Sequence, residues 1–355
     1  MANEAVQVEH LDRGMGLWGA ISTNLLNMVG VGPFLTIPLA LAAMGGPQAM
    51  LGWIIGAGLA LCDGMVWAEL GSRMPDTGGS YHYLLEAFGR NGAGRLVAFL
   101  FLWQALLIGP ISIASGAVGF AEYSGVFHPL TAMHMKIIAV VLCLINLAVL
   151  YRSIQSISAL SIVVMIAVMA TCGWIIFTGA THFHSSLAFD LPPHAFQLSH
   201  SFWLGLGSAV LIATYDYGGY NNVCLIGGEV KDARRNVPRA VLLSIVIVAS
   251  LYLAMNLAIL GNLPWREAQQ SKAVVADFMQ AALGPLAAKI ITLLILIASW
   301  GSTYAILLGY SRIPYAAAAD GRFPKVFARI HPTGHFPTVS LLYMGLASEI
   351  GRAHV

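Results

Sequence analysis

Charged residues are scarce in this sequence. Only 10% of its 355 residues are Asp, Glu, Lys or Arg, whereas 58% are hydrophobic. Because a water-soluble domain carries about 25% charged residues, the composition excludes that class of protein. No polar, charge-dense stretch between the apolar segments is long enough for a soluble domain, so we predict a single membrane-embedded helical bundle.

Cysteine is also rare, and the sequence lacks an obvious catalytic grouping. The four cysteines, Cys62, Cys143, Cys172 and Cys224, are widely spaced inside apolar segments. This spacing is typical of small core side chains and not of disulfide frameworks or zinc sites. No cluster of nucleophile, base and orienting residue is recognisable. We therefore predict no enzymatic activity, no cofactor and no metal centre.

Long apolar segments make up most of the chain. Eight of them reach the roughly 20 residues that a helix needs to cross a bilayer core. They cover residues 15–43, 48–70, 96–122, 133–151, 154–180, 202–228, 239–261 and 286–311, and a ninth begins near Pro337. The predicted fold class is an all-α integral membrane protein. Residues 1–14 form an N-terminal tail, and residues 15–348 form the transmembrane domain.

Basic residues are distributed unevenly between the two sides of these predicted spans. Most of the 18 Lys and Arg residues fall on one side when the N-terminus is placed in the cytoplasm. Since short cytoplasmic loops retain positive charge, we predict a multi-pass protein of the cell (plasma) membrane with a cytoplasmic N-terminus. The net charge of +2 reflects this asymmetry and does not indicate nucleic-acid binding.

Two predicted spans contain helix-breaking residues near their centres. The first span contains NMVGVGPFLTIP at residues 27–38, and the sixth contains ATYDYGGYNNV at residues 213–223. Glycine in a helix interior costs about 1 kcal/mol relative to alanine, and proline about 3, so both helices should open there. Breaks five spans apart are typical of a five-plus-five inverted repeat, in which they form the substrate site at the bilayer midplane.

The opened backbone of the first span predicts an anion site. Gly30 and Gly32 turn without a side-chain penalty, and Pro33 suits the first position of the half-helix that follows. The free N–H groups of Val31 and Gly32 would then lie at the positive end of a helix dipole. A substrate carboxylate is the simplest ligand for such an end.

Three loop motifs resemble those of a known transporter family. They are WAELGSRMPDTGGSYHYLLEAFG after the second span, GGEVKDARRNVPRA after the sixth and LLGYSRIPYAAAADGRFPKVFARIHP after the eighth. Together they resemble the cytoplasmic loops of the amino acid, polyamine and organocation (APC) family of secondary transporters, over about residues 14–342. The resemblance implies a leucine-transporter-like inverted-repeat bundle, usually of twelve spans, with alternating access around a midplane amino acid site.

The resemblance also implies roles for residues at both breaks. The family's Gly-Ser-Gly-hydrophobic-Phe break falls on residues 30–34, where Val31 replaces the hydroxyl residue and Pro33 removes an N–H group. Tyr215 matches the aromatic residue that closes over the substrate from outside; a structural anchor is the alternative. The predicted substrate-binding residues are Asn27, Gly30, Val31, Gly32, Tyr215, Asp216, Gly218 and Gly219.

Two carboxylates lie inside apolar segments, where an unpaired charge is expensive. Asp216 lies beside the glycines of the sixth span, at a family position that is usually small. We interpret it as a counter-charge for a substrate amine or as a group that titrates during transport; bonding to the broken backbone is the structural alternative. Asp63, in the second span, suits structural pairing as well as it suits a proton role.

These carboxylates and the hydroxyl groups of the eighth span are the candidates for ion coupling. Asp63 or Asp216 would carry a proton, whereas Ser302 and Thr303 would join backbone carbonyls of the first break around sodium. A lysine found in the fifth span of proton-coupled relatives falls near Ile162 here, so that mechanism is not supported. We favour a titrating carboxylate, and therefore a proton, over sodium.

The last residues of the sequence do not suit a membrane span. EIGRAHV at residues 349–355 places charged side chains where the family continues apolar. We expect a non-native tail there, and an inverted repeat left incomplete after the eighth span.

The predicted function is ion-coupled secondary transport of amino acids across a lipid bilayer by alternating access. A transporter of polyamines or other small amines is an alternative that Asp216 favours. A sensor that binds amino acids without transporting them is the other alternative.

Overall fold

Helices form most of the described chain. The computed structural model describes residues 11–350, and within this range the backbone forms isolated β-bridges but no strand. The helices are α1 (Leu17–Met28), α2 (Gly32–Met44), α3 (Met50–Arg73), α4 (Ser80–Ala87), α5 (Ala93–Ser124), α6 (Ala132–Leu150), α7 (Ile154–Thr181), α8 (Ser185–Ala188), α9 (His200–Tyr217), α10 (Asn222–Leu225), α11 (Ala233–Leu260), α12 (Trp265–Ala268), α13 (Val274–Leu283), α14 (Pro285–Tyr310), α15 (Arg312–Ala319) and α16 (Thr338–Ile350). Most of both predicted tails, residues 1–10 and 351–355, lies outside the described residues.

The helices agree with the predicted membrane-spanning class but not with the count of eight spans. Among the described residues, six helices are long and apolar enough to cross a membrane, and the pair α1 and α2, bent by 44°, makes a seventh. The sixth predicted span is divided into α9, of 18 residues, and α10, of four. Because α9 begins at His200 and contains Asp216, it is shorter and more polar than the other spans.

Both predicted breaks are present. α1 ends at Met28 and α2 begins at Gly32, so the helix is interrupted over three residues. Pro33 occupies the second position of α2, one place later than predicted, where its missing N–H leaves no helical bond unmade. In the second break, Gly219 has φ +114°, a conformation that side chains other than glycine rarely adopt.

Close packing of small residues positions the outer half of the sixth span. A Cβ on Gly52 or Gly56 of α3 would lie 2.7 or 2.8 Å from the methyl group of Ala209 or Ala213 on α9. Glycine at these two positions therefore lets the α3 and α9 backbones approach, as is common between membrane helices. This contact fixes the end of α9 that carries Asp216.

A short helix that the sequence analysis missed covers one end of the bundle. α13 buries Val274, Val275, Phe278 and Met279 completely and packs against α14, α2 and α7. Its ten residues are too few to span a bilayer, so the lengths of the apolar segments do not predict it.

A buried ion pair fastens the opposite, predicted cytoplasmic end. Arg312 Nε lies 2.7 Å from Glu229 Oε1, and Arg312 Nη2 lies 3.0 Å from Glu229 Oε2. The two side chains are 1% and 0% exposed. The backbone of Glu229 also accepts a bond from Met15 N at 3.0 Å. The pair thus joins three segments: the approach to α1, the loop after α10 and the start of α15.

Candidate functional site

The two helix breaks open onto one cavity of about 800 Å³. This volume is within the range of about 300–1,000 Å³ that is usual for small-molecule sites. Its walls come mainly from α1, α2, α5, α9 and α14 and from the two breaks. All the predicted substrate-binding residues line it, namely Asn27, Gly30, Val31, Gly32, Tyr215, Asp216, Gly218 and Gly219.

The cavity is elongated along α5. It is lined by Phe101 near one end of this helix and by Glu122 near the other, a distance of roughly 30 Å at 1.5 Å per residue. α14 and α15 also line the cavity, with residues from Ser299 to Ile313. Tyr215 is 75% exposed and therefore does not close the cavity in this conformation.

Helices α14 and α5 both pack tightly against the first break. A Cβ on Gly30 would lie 2.8 Å from Ser302 Oγ on α14, and one on Gly119 of α5 would lie 2.8 Å from Val31 Cγ1. Ser302 Oγ is also 3.5 Å from the backbone oxygen of Asn27. A side chain at position 30 would therefore require Ser302 to shift.

Asparagine side chains join the two breaks. Asn24 Nδ2 donates to the backbone oxygen of Tyr220 at 2.6 Å, and Asn24 Oδ1 accepts from Val223 N at 2.8 Å. Asn27 Nδ2 donates to the oxygen of Gly219 at 3.4 Å. The two bonds of Asn24 satisfy backbone groups that the interruption of the sixth span leaves without helical partners. Asn24 was not among the predicted site residues, and it does not line the cavity.

Asp216 lies deep in the cavity, between the two breaks. Its side chain is almost completely buried, and one carboxylate oxygen accepts a hydrogen bond from the Thr36 hydroxyl group of α2. The other oxygen, Oδ1, has no hydrogen-bond partner among residues 11–350. A Cβ on Gly32 would lie 2.8 Å from Oδ1. The carboxylate therefore faces the start of α2, with one acceptor oxygen available for an ammonium group or a proton.

Thr36 is a site residue that the sequence analysis missed. It lies 180 positions from Asp216 in the chain, and a threonine in an apolar helix commonly bonds to its own backbone. Only the fold identifies its partner.

The structure separates the candidates for ion coupling. Ser302 lines the cavity, whereas Thr303 does not; it is buried, accepts from Asn146 Nδ2 at 3.0 Å and donates to the oxygen of Trp300 at 2.9 Å. Asp63 lies outside the cavity on an exposed face of α3. It accepts from Trp67 Nε1 at 2.9 Å and from the Tyr220 hydroxyl group at 2.5 Å. Asp63 thus binds Tyr220, a residue of the second break, from outside the cavity.

Metal-ligand clusters are not part of this site. In the part of the chain that the structure describes, no three His, Cys, Asp or Glu residues are grouped so that they could hold a metal ion.

The chain is similar to amino acid transporters over most of its length. It is 28% identical over 358 residues to the human Asc-type amino acid transporter 1, an alignment covering 94% of this chain and 64% of that protein. It is 28% identical to the rat large neutral amino acids transporter small subunit 2 over 95% of this chain and 64% of that protein. An uncharacterized transporter of Mycobacterium bovis is 27% identical over 95% of this chain and 73% of its own length. The chain therefore spans slightly less than two thirds of the first two relatives.

Comparison of structures supports the same fold. A Na⁺-coupled sialic acid symporter, solved in a substrate-bound outward-open state, superposes with a TM-score of 0.66 at 12% sequence identity. The match covers 98% of this chain and 77% of the symporter. At this identity the likeness concerns the fold alone, which is that of a leucine-transporter-like membrane protein.

The family assignment follows from the sequence as a whole. A family model described as amino acid permease matches residues 15–350, which include both breaks, the cavity and all three loop motifs. The chain belongs to the amino acid permease family, within the APC group of transporters.

Proposed function

We propose that the protein takes part in secondary active transport of amino acids by alternating access, with the cavity between the two breaks as its substrate site. The observation that carries this proposal is that two helix breaks, five predicted spans apart, open onto the same cavity and are bonded to each other by Asn24 and Asn27. Paired breaks of this kind form the substrate sites of transporters. The relatives named for amino acid transport support the same substrate class.

Asp216 is the residue that we assign to the substrate amine. Its Oδ1 atom is buried and has no protein partner within the described range, and leaving such a charged acceptor unpaired is costly. A substrate ammonium group at Oδ1 removes this cost. The N–H groups of Val31 and Gly32 at the start of α2 are proposed to bind the substrate carboxylate, because the first N–H groups of a helix have no partner within it; Pro33 has no N–H group, and Phe34 N donates to Val31 O at 3.1 Å.

A proton is the coupling ion that we favour. When the cavity is empty, a proton on Asp216 supplies the positive charge that Oδ1 lacks, and an arriving ammonium group displaces it. Sodium is the second candidate, because Ser302 Oγ and the backbone oxygen of Asn27 are 3.5 Å apart at the first break and both are suitable ligands for a hard cation. The N-terminus is proposed to face the cytoplasm, and the protein to reside in the plasma membrane.

Uptake by proteoliposomes tests the proposal. Labelled leucine and lysine are offered to the purified chain without a proton gradient, with an inward and with an outward proton gradient, and then with an inward sodium gradient. Because the proton and the substrate ammonium group exchange at Asp216, we expect uptake that an outward proton gradient drives and an inward one opposes. Asp216→Asn should reduce it roughly 30-fold, because a hydrogen bond to a charged group contributes about 2 kcal/mol.

Asp277→Asn is the matched control. Asp277 also accepts a hydrogen bond from a hydroxyl group, that of Ser271, but it does not line the cavity. Equal uptake by the Asp216→Asn variant and the wild type would assign Asp216 a structural role. Specific binding without uptake would favour the sensor, and the absence of binding of either amino acid would contradict the proposal.

A further inference from the structure

The charge of the cavity wall is one-sided. Among the described residues that line the cavity, Asp216 and Glu122 are acidic, and none is lysine, arginine or histidine. A site that pairs both ends of a zwitterion with side chains would need a cationic residue as well as an acidic one. The described lining of this cavity supplies only the acidic residues. The two carboxylates therefore bear on which substrates the cavity accepts.

Glu122 occupies a defined position relative to the first break. It lies on α5 three residues after Gly119, which puts the two on the same face of the helix, one turn apart. Gly119 contacts Val31 in the first break. Glu122 thus lies about one turn from the residues that surround the substrate site, towards the C-terminal end of α5.

Glu122 is also free to bind a ligand. Its side chain is exposed to the cavity and the surrounding space, and no lysine, arginine or histidine of residues 11–350 forms an ion pair with it. Asp216 is the complementary case, because it is almost completely buried and yet has one unpartnered oxygen. The cavity therefore presents one carboxylate acceptor deep inside and another near the end of α5.

Electrostatics determines what such a pair attracts. In a cavity with low-dielectric walls, charges of one sign reinforce each other, raise the local concentration of counter-ions and repel molecules of the same sign. The donor that remains for a substrate carboxylate is the start of α2, and Asp216 itself faces that point. The arrangement favours a substrate with two positive groups over an electrically neutral one.

We propose that Glu122 and Asp216 together select a substrate that carries two ammonium groups on a short aliphatic chain, with Asp216 binding one ammonium group and Glu122 the other. Amino acids with an amine in the side chain and free diamines share this chemistry. The inference rests on the proposed function, because it places the substrate in the same cavity. It adds a specificity-determining residue, Glu122, on a helix to which the sequence analysis assigned no site residue.

Direct binding of three labelled probes tests the inference. Lysine, cadaverine and leucine are offered to the purified full chain in liposomes, and dissociation constants are measured for the wild type, Glu122→Gln, Glu122→Asp and Glu267→Gln. Glu267 is the matched control, since it is an exposed glutamate on a helix but does not line the cavity. Size-exclusion elution of each variant verifies that it is folded.

The wild type should bind lysine, cadaverine or both more tightly than leucine. The Glu122→Gln substitution should weaken that binding about five-fold, the effect of one partly exposed ion pair, and leave leucine binding unchanged. Glu122→Asp should restore part of the loss. The weakening should also shrink as salt is raised, because an exposed pair is screened.

The three probes distinguish a diamine substrate from an amino acid substrate. They also distinguish failure of the role of Glu122 from failure of the proposed function. Binding of lysine alone identifies an amino acid site and supports both the inference and the proposed function. Binding of cadaverine alone identifies a diamine site; it supports the inference and contradicts amino acids as the proposed substrate. Dissociation constants for lysine and cadaverine that are the same in Glu122→Gln and wild type would overturn the role of Glu122. Binding of leucine with no binding of either doubly charged probe would overturn the inference while leaving the proposed function intact.

Discussion

Glu229→Met removes the carboxylate that balances Arg312 at the predicted cytoplasmic end of the bundle. The two side chains share two hydrogen bonds, at 2.7 and 3.0 Å, and neither is more than 1% exposed. Arg312 Nη1 also donates to Leu308 O at 3.3 Å and to Ser311 Oγ at 2.9 Å. Both acceptors are neutral, so the variant leaves a buried guanidinium charge without compensation.

The expected loss is large for a single substitution. Removing one partner of a buried ion pair costs about 3–5 kcal/mol, whereas replacing both partners by apolar groups of similar volume is often close to neutral. We therefore expect Glu229→Met and Arg312→Met each to lower the free energy of unfolding by at least about 3 kcal/mol. The double variant should lie within about 1 kcal/mol of the wild type.

Reversible unfolding in mixed micelles measures this cycle, with helix content followed by circular dichroism. Glu69→Met is the matched control, because Glu69 and Arg73 form an ion pair at 2.6 Å whose side chains are 60% and 76% exposed. That pair should contribute no more than about 1 kcal/mol. Additive losses in the double variant, or equal losses for Glu69→Met and Glu229→Met, would refute the reasoning.

Three further substitutions test the site and the contacts that support the second break. Gly32→Ala should displace the Asp216 carboxylate, because Oδ1 would be 2.8 Å from the new Cβ. Substrate binding in an equilibrium assay should weaken about ten-fold. Gly207→Ala is the control and should leave binding unchanged, because its Cβ meets no atom within 4 Å. Gly219→Ala should lower the free energy of unfolding by about 1–3 kcal/mol. The causes are the φ of +114° at Gly219 and the position of Asn27, 3.0 Å from the added Cβ. An unchanged unfolding curve would contradict this expectation. Asp63→Asn should lower the free energy of unfolding by about 1–2 kcal/mol, because it weakens the hydrogen bonds from Tyr220 and Trp67. When Tyr220→Phe is added, the combined loss should be smaller than the sum of the two single losses.

The positions of the breaks could be predicted because their cause is local. Glycine and proline disfavour helix wherever they occur, so residues 29–31 and 218–221 are interrupted as expected. The residues around each break then lie near one another because the fold brings the two breaks together. This is why the predicted substrate-binding residues share a cavity.

Features that depend on helix rotation could not be predicted. Neighbouring residues on a helix point about 100° apart, so Ser302 lines the cavity whereas Thr303 is buried against Asn146. Asp63 is exposed on α3 although it lies within an apolar segment. Hydropathy measures how apolar a segment is, and it does not identify which face of the helix meets the cavity.

Contacts between distant segments also required the structure. The bond from Thr36 to Asp216 joins α2 to α9, and nothing in either local sequence specifies the partner. Glu122 was passed over for a related reason, because it lies near the end of a long span where a charged residue is ordinary. Its position beside the first break becomes visible only when α5 is packed against Val31.

The side chain of Asn24 has a mechanical consequence. Its Cα belongs to α1, while its amide oxygen and nitrogen are both engaged by the backbone of residues 220–223. Sliding these two segments past each other would break two short hydrogen bonds at once, so they should travel as one rigid body. If the proposed alternating access involves rotation at the two breaks, we expect the glycines that flank this rigid body to act as paired hinges: Gly30 beside α1, and Gly218 and Gly219 beside α9.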